Sequence, residues 1–243
     1  MAEHLQIDLS KTRFTIGLPI GTGMIPAWTA LSLINTFRTF SSVGIHINYV
    51  SELFNSVVDF ARNNVVHSFL ENPEHEKLIW IDADMQWHPD DLIRLCCWST
   101  LYPVVAALYS SKVEGDQKLI FKLRPDDEGQ LLENEHGLVR LEGLGLGFCI
   151  MDRSVFETMM PTTEVYIDKT RGKVYRFFKT TTEDGAPIGE DIYFMRRWSR
   201  EFGGEVLVDP DIDLGHVGQK IYKIGSTRKA MAVFNEQQLQ AVN

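Results

Sequence analysis

Long apolar runs are missing from this 243-residue chain. None approaches the roughly 18 apolar residues that a membrane-spanning helix requires. The opening, MAEHLQIDLSKTRF, lacks the basic and apolar regions of a secretory leader. Cysteine is scarce: Cys96, Cys97 and Cys149 are an odd set without metal-type spacing. That excludes a disulfide framework or zinc cluster and fits free thiols in a reducing compartment, so a cytoplasmic location is expected. Positive charge is in deficit, with 24 basic against 33 acidic residues and a formal charge of −9. Broad electrostatic attachment to nucleic acid is therefore disfavoured, which leaves room only for a local basic groove. There is no GxGxxG and no Gly-Lys-Ser/Thr loop for phosphate, no internal repeat and no low-complexity segment. Hydrophobic content of 44% and charged content of 23% suit a globular protein with one large α/β domain or two small ones.

The most informative stretch is Lys77 to Leu95, KLIWIDADMQWHPDDLIRL. Leu78, Ile79, Trp80 and Ile81 read as a strand buried on both faces. Pro89 suits the first turn of a helix, continued by Leu92, Ile93 and Leu95. Between them stand Asp82 and Asp84, one residue apart. In an open α/β sheet, ligands bind beyond the carboxyl ends of the strands. Hard oxygen ligands at such a point suit Mg²⁺ or Mn²⁺, which can neutralise a diphosphate. A solvated acidic turn is the competing explanation.

Before that stretch, RFTIGLPI (Arg13 to Ile20) reads as a first strand, GTGM as a loop and Pro26 as the start of a helix through about Phe40. GIHINYV (Gly44 to Val50) is a second strand. Ser56 to Leu70 is an amphipathic helix carrying Arg62 and Asn63, a polar pair that such a helix ordinarily turns to solvent. After it, VVAALY (Val104 to Tyr109) is a buried strand, Leu119 to Leu123 an outer strand, and DDEGQLLENEHG an acidic, turn-rich excursion. Gly143, Gly145 and Gly147 interrupt a strand-like segment, marking a bend or close backbone approach. Asp152 or Ser154 begins a helix, and Glu164 to Lys179 alternates as a β ribbon. Thr180 to Gly189 is polar and turn-rich, the best candidate for a mobile lid. Glu190 and Asp191 open the helix EDIYFMRRWSREFGG, where acidic residues also suit the helix dipole. Glu205 to Asp209 is one more strand. Alternating strands and helices in the first half predict a parallel sheet, with mixed strands added in the second.

Five pieces, IWIDADM, VVAALYSSK, GLGLGFCIMDRSVF, GEDIYFMRRW and LGHVG, stand in an order that resembles the small nucleotide-sugar glycosyltransferases of GT-A fold common in phages and bacteria. The resemblance covers roughly Thr15 to Ile224. It implies a central, mostly parallel sheet flanked by helices with a smaller mixed β region. It also implies one domain over 1–243: a nucleotide-binding half at about 12–110, an acceptor and catalytic half at about 111–224, and a tail at 225–243. If the chain is phage-encoded, the expected location is the host cytoplasm. Carried over residue by residue, the resemblance implies that Asp82 meets the ribose or a metal-bound water and that Asp84 binds Mn²⁺ or Mg²⁺. His216 would be a second metal ligand. Pro19, Gly21 and Thr22 would lie where base and ribose rest, Arg62 would face the nucleotide, and Gly145 and Gly147 would pass the donor sugar. Asp191 would be the general base of an inverting reaction, with Glu190 as the neighbour that could take that role. Leu146 departs from the family, whose members often carry Thr there.

The function this implies is metal-dependent transfer of a hexosyl or pentosyl group from a nucleoside-diphosphate sugar, UDP-sugar favoured, to a saccharide or small-molecule hydroxyl. Hydroxymethylated pyrimidines of phage DNA are an alternative acceptor, which would need a basic track. The basic concentrations are Arg196, Arg197 and Arg200 on one helix and Lys220, Lys223, Arg228 and Lys229 near the C-terminus. A nucleotidyltransferase, or a non-catalytic sugar-nucleotide-binding module, are the other readings.

Overall fold

The computed structural model describes residues 7–113, 118–124 and 129–242. Residues 1–6 of the opening and 126–128 of the acidic excursion lie outside the described residues. In chain order the first half comprises β1 (Arg13–Ile20), α1 (Ala27–Ser42), β2 (His46–Leu53), α2 (Val58–Glu71), β3 (Lys77–Ile81), β4 (Met85–Gln86), α3 (Pro89–Trp98) and β5 (Val104–Ala106). Then follow β6 (Phe121–Lys122), β7 (Val139–Leu141), β8 (Gly143–Leu144), β9 (Phe148–Asp152) and α4 (Arg153–Met159). The remainder is β10 (Val165–Asp168), β11 (Gly172–Tyr175), β12 (Thr181–Glu183), β13 (Ala186–Ile188), α5 (Glu190–Phe202), β14 (Val206–Val208), β15 (Gly215–Val217), β16 (Ile221–Tyr222) and α6 (Thr227–Val242).

Seven strands form the central sheet in the order β2-β1-β3-β9-β5-β14-β7. β1 runs parallel to β2 and β3, and β14 runs parallel to β5. β9 is inserted antiparallel between β3 and β5, and β7 closes the far edge antiparallel to β14. The fold is thus mixed α/β, with the antiparallel strands contributed by the second half of the chain.

β3 shows why the sheet is central. All five of its residues are buried, and successive side chains point to opposite faces. Leu78 and Trp80 pack with Val65, Phe69, Phe156 and Phe194 of α2, α4 and α5, whereas Ile79 and Ile81 join Phe40, Leu92 and Leu95 of α1 and α3. Each such fully buried side chain stabilises the fold by about 1.5–3 kcal/mol. α3 starts where Pro89 predicts: the His88 ring accepts from the Asp90 N–H, and the Asp91 carboxylate accepts from the His88 N–H. The residues of the expected tail include α6, whose Met231 is buried in the same core as Trp80, with Phe234 packed against it.

Two expectations change. Arg62 and Asn63 are not turned to solvent; both are buried, as is Asn64. The Asn63 side chain donates to the Phe178 carbonyl and accepts from its N–H, and Asn64 donates to Glu52. Buried polar groups need such partners, so this helix face ties the sheet to the β ribbon and is polar inside.

The segment from Thr180 to Gly189 is a short hairpin, β12-β13. Glu183 on it is ion-paired to Arg196 and Arg200 of α5, and both arginines also hold the buried Glu142. The expected lid therefore has an ionic anchor that its low apolar content concealed. Glu183→Ala should speed amide exchange across residues 181–188 while leaving the sheet protected. Wild-type exchange already at the solvent-exposed rate would show that the anchor does not hold.

The same contacts bear on the basic concentrations. Arg197 is bonded to Glu201, Thr162 and Thr163, and Arg228 to Asp211 and Glu133. Most of the arginines that suggested a DNA track are thus committed to acidic or hydroxyl partners within the protein.

Candidate active site

The site lies at the carboxyl end of β3. Past Ile81 the Asp82 N–H donates to the Gly147 carbonyl, and the Met85 N–H donates back to the Asp82 carbonyl, closing a turn that presents both carboxylates. β4 follows at once and pairs antiparallel with β15, placing His216 opposite Met85. This pairing joins residues 131 positions apart in a way that spacing along the chain does not reveal. It sets the His216 Nε2 atom 3.5 Å from Asp84 Oδ1.

The other ring nitrogen of His216 lies 2.8 Å from the Ser110 carbonyl. That contact assigns the proton to Nδ1 and leaves Nε2 as the nitrogen facing Asp84, the arrangement of a metal-ligating histidine. Lys112 also reaches Asp84 as an ion pair. Burial pushes the Asp84 carboxyl up, but the His216 ring in its doubly protonated form and the Lys112 ammonium outweigh it and hold the pKa at about 2. Lys112 ends the VVAALYSSK piece, but sequence reasoning gave it no role.

Behind Asp84, Arg62 is 4% exposed. Its Nη2 donates to Asp82 and its Nε to Glu190, both at 3.0 Å, and its Nη1 has no partner. Burial opposes its charge, yet Asp82 and Glu190 raise its pKa overall. The guanidinium also lies over the Trp80 ring, 5.5 Å from the centroid, a cation–π contact. Arg62 therefore acts as a clamp joining the end of β3 to the start of α5.

Asp191 begins α5 beside Glu190 and faces Gly145, where a Cβ atom would lie 3.7 Å from its Oδ2. Burial raises its pKa, the neighbouring Glu190 charge raises it further, and Arg62 opposes both; the result is about 6. Glu190 is tied to Arg62, whereas the bond to Asp191 is from the Ile192 N–H at 2.7 Å. Of the two acids, Asp191 is the one not held by an arginine.

Gly145 and Gly147 have a local reason to be glycine. Tyr109 lies across both, and its hydroxyl accepts from the Gly147 N–H at 3.2 Å. A Cβ at Gly147 would sit 2.7 Å from the Tyr109 ring. The same ring meets His216 edge-on at 5.0 Å, so the tyrosine links the glycine segment to the Asp84 side. Leu146 between the glycines is fully buried in the core, which explains an apolar residue there. Gly147→Ala should cost about 1–3 kcal/mol through overpacking, and less in a Tyr109→Leu background. Equal losses in the two backgrounds, by urea denaturation, would contradict the contact.

The structure thus brings Arg62, Asp82, Asp84, Gly145, Gly147, Glu190, Asp191 and His216 into one constellation. Pro19, Gly21 and Thr22 stand on the same sheet edge at the end of β1, the neighbour of β3. There the Thr22 hydroxyl donates to the Met24 carbonyl, and nothing bonds these three residues to the carboxylates. Among the described residues no group of three or more His, Cys, Asp or Glu side chains is gathered as a metal cage. The donor set is one carboxylate and one imidazole. Mg²⁺-type ions are commonly held by one or two protein groups, with phosphate oxygens and waters filling the rest, so this set fits an ion bound together with a diphosphate.

No protein-family model matches the chain, and no curated protein matches it significantly. Among solved structures it is similar to A197 from STIV, at 20% identity and a TM-score of 0.54 over 85% of this chain and 86% of that one. Weaker likeness extends to a glycosyltransferase involved in the glycosylation of the major capsid of PBCV-1, at 12% identity, TM-score 0.34, over 61% of this chain and 64% of that one. It extends also to 4-diphosphocytidyl-2C-methyl-D-erythritol synthase from Anaerococcus prevotii DSM 20548, at 10% identity, TM-score 0.40, over 94% and 99%. At these identities the likeness concerns fold, and the fold argument rests on A197 from STIV, with which the chain shares a mixed α/β architecture over most of its length.

Proposed function

We propose that this chain is a nucleotide-dependent transferase and, within that class, a GT-A-type glycosyltransferase. It would move a hexosyl or pentosyl group from a nucleoside-diphosphate sugar, UDP-sugar favoured, to a hydroxyl of a saccharide or small molecule. One observation carries the reading: a cation-suited pair, Asp84 and His216, is linked through Tyr109 and the Gly145 segment to a separate carboxylate, Asp191, whose pKa is raised to about 6.

Asp84 and His216 would hold Mn²⁺ or Mg²⁺, and such an ion, when bound, neutralises charge on a departing nucleoside diphosphate. Lys112 supplies a further positive charge at the same point. Arg62 holds Asp82 in place and, through Glu190, fixes the first turn of α5. Asp191 would accept the acceptor's hydroxyl proton while that oxygen bonds to the anomeric carbon. The bond from that carbon to the diphosphate breaks, and its electron pair leaves with the nucleotide. A single displacement of this kind inverts the anomeric centre.

A nucleotidyltransferase is the second reading, and Lys112 favours it. The loop after β1 lacks a basic residue for a triphosphate, but this ammonium reaches the site from another loop. The two readings release different products. With Mn²⁺ and an acceptor panel, the protein should release nucleoside diphosphate from nucleotide sugars and no pyrophosphate from nucleoside triphosphate plus sugar 1-phosphate. Pyrophosphate release would install the second reading, and binding without either product would make the chain a sugar-nucleotide-binding module.

A further inference from the structure

The edge strand β2 ends against β1, with Leu53 paired to Ile20. The next residue, Phe54, has φ +57° and is 77% exposed. Both features are unusual for an aromatic residue: the left-handed region is strained for bulky side chains, and a large ring left in water forgoes burial. The conformation is nonetheless pinned. The Phe54 and Gly23 N–H groups both donate to the Ile20 carbonyl, at 3.2 and 3.0 Å. The Phe54 ring then lies against Gly23, itself at φ +72°, where any Cβ would collide with the ring. The GTGM loop and the end of β2 are thus built around one aromatic ring that has backbone on one side and remains mostly open to solvent.

Phe54 also stands at a telling place. It follows the last residue of β2, Gly21 follows the last of β1, and Asp82 to Asp84 follow β3, in the order β2-β1-β3. Two strand spacings separate β2 from β3, about 10 Å, which is the scale from the base of a nucleoside diphosphate to its phosphates. We infer that Phe54 is the stacking platform for the nucleobase, an affinity-determining contact of the nucleotide site; this rests on the proposed nucleotide-dependent function. Stacking accepts any base through its π face, so Phe54 supplies affinity for a base and leaves the choice among bases to polar groups around it. Leu53 and Val57 beside it are exposed too, so a protein contact is the competing use of this corner.

Phe54→Gly removes the ring and suits the left-handed backbone, so the variant should fold. Calorimetry in Mn²⁺ would compare UDP, CDP, ADP and GDP with inorganic pyrophosphate, which has no base. The expected result is a loss of about 5- to 100-fold in affinity for the nucleotide or nucleotides that wild type binds, with pyrophosphate binding unchanged and Phe54→Trp retaining wild-type affinity. Unchanged nucleotide affinity in Phe54→Gly overturns the platform, as does an equal loss for pyrophosphate. Altered self-association with nucleotide affinity intact would assign Phe54 to a protein contact and overturn it as well. Wild-type protein that binds neither nucleotide nor pyrophosphate overturns the functional reading beneath it.

Discussion

Asp84→Ala should remove Mn²⁺-dependent binding of nucleoside diphosphate and leave the fold in place. The carboxylate is half-buried beyond the end of a strand, and its partners are Lys112 and His216. A partly exposed ion pair of this kind contributes about 0–1 kcal/mol, too little for its loss to unfold a domain. The pair's effect on stability has a definite sign. Because the folded pKa lies near 2, below the ordinary aspartate value of 3.8, the contribution is present above pH 3.8 and is lost as pH falls toward 2. Metal binding weakens in the same direction, since a histidine ligand must be neutral. Calorimetry on the folded variant checks the claim, and wild-type affinity in Asp84→Ala would remove Asp84 from the metal site. Lys112→Ala separates the ion-pair explanation from the metal one. If Asp84 serves mainly to hold Lys112, the two variants should look alike, whereas a metal ligand predicts that only Asp84→Ala loses the Mn²⁺ dependence.

Asp191→Asn should keep donor binding and lower transfer by about 10²–10⁴-fold, the scale of a lost general base. In the wild type the rate should rise with pH through about 6, where this carboxyl titrates, and then level off. Stability should move the other way. The folded pKa stands above the ordinary aspartate value of 3.8, so the fold favours the protonated acid. That contribution is complete below pH 3.8 and lost as pH rises through about 6. Asp191→Asn should consequently melt at a higher temperature than wild type at pH 7.5, with the difference shrinking toward pH 4. A variant that is less stable and fully active would contradict both halves of the argument. Glu190→Gln should instead destabilise, since it leaves Arg62 buried with one carboxylate fewer.

Much of the sheet was legible because burial has a simple signature. LIWI reads as buried on both faces and VVAALY likewise, although the second strand stops at Ala106, and the flanking Pro and Asp residues mark where strand gives way to turn or helix. The antiparallel placement of β9 between β3 and β5 was less legible, since a fully apolar strand carries no sign of its direction. The site divides along the same line. Asp82 and Asp84 announce themselves by standing where packing has no use for a carboxylate. Arg62 looked like a solvent residue on an amphipathic helix, and only the fold shows that two acids from distant segments, Asp82 and Glu190, let it be buried. The long-range pairs Glu142 with Arg196 and Arg200 were hidden for the same reason: ion pairing across 54 and 58 positions leaves no local pattern. Gly145 and Gly147 mark a bend or a close approach in the sequence, and the group that lies against them within the protein is Tyr109.

The most direct test of the central claim is a thermal-shift panel on the wild-type protein, using nucleoside diphosphates and their sugars with and without Mn²⁺. At about a hundredfold excess over the dissociation constant, a ligand that binds the native state stabilises it by about 2.7 kcal/mol, a shift of about 5–11 °C for a chain of this size. At least one nucleoside diphosphate should raise the melting temperature by that amount in Mn²⁺ and much less in its absence. Melting that is unaffected by every nucleotide, or shifted equally with and without the metal, would contradict a metal-dependent nucleotide site at Asp84 and His216.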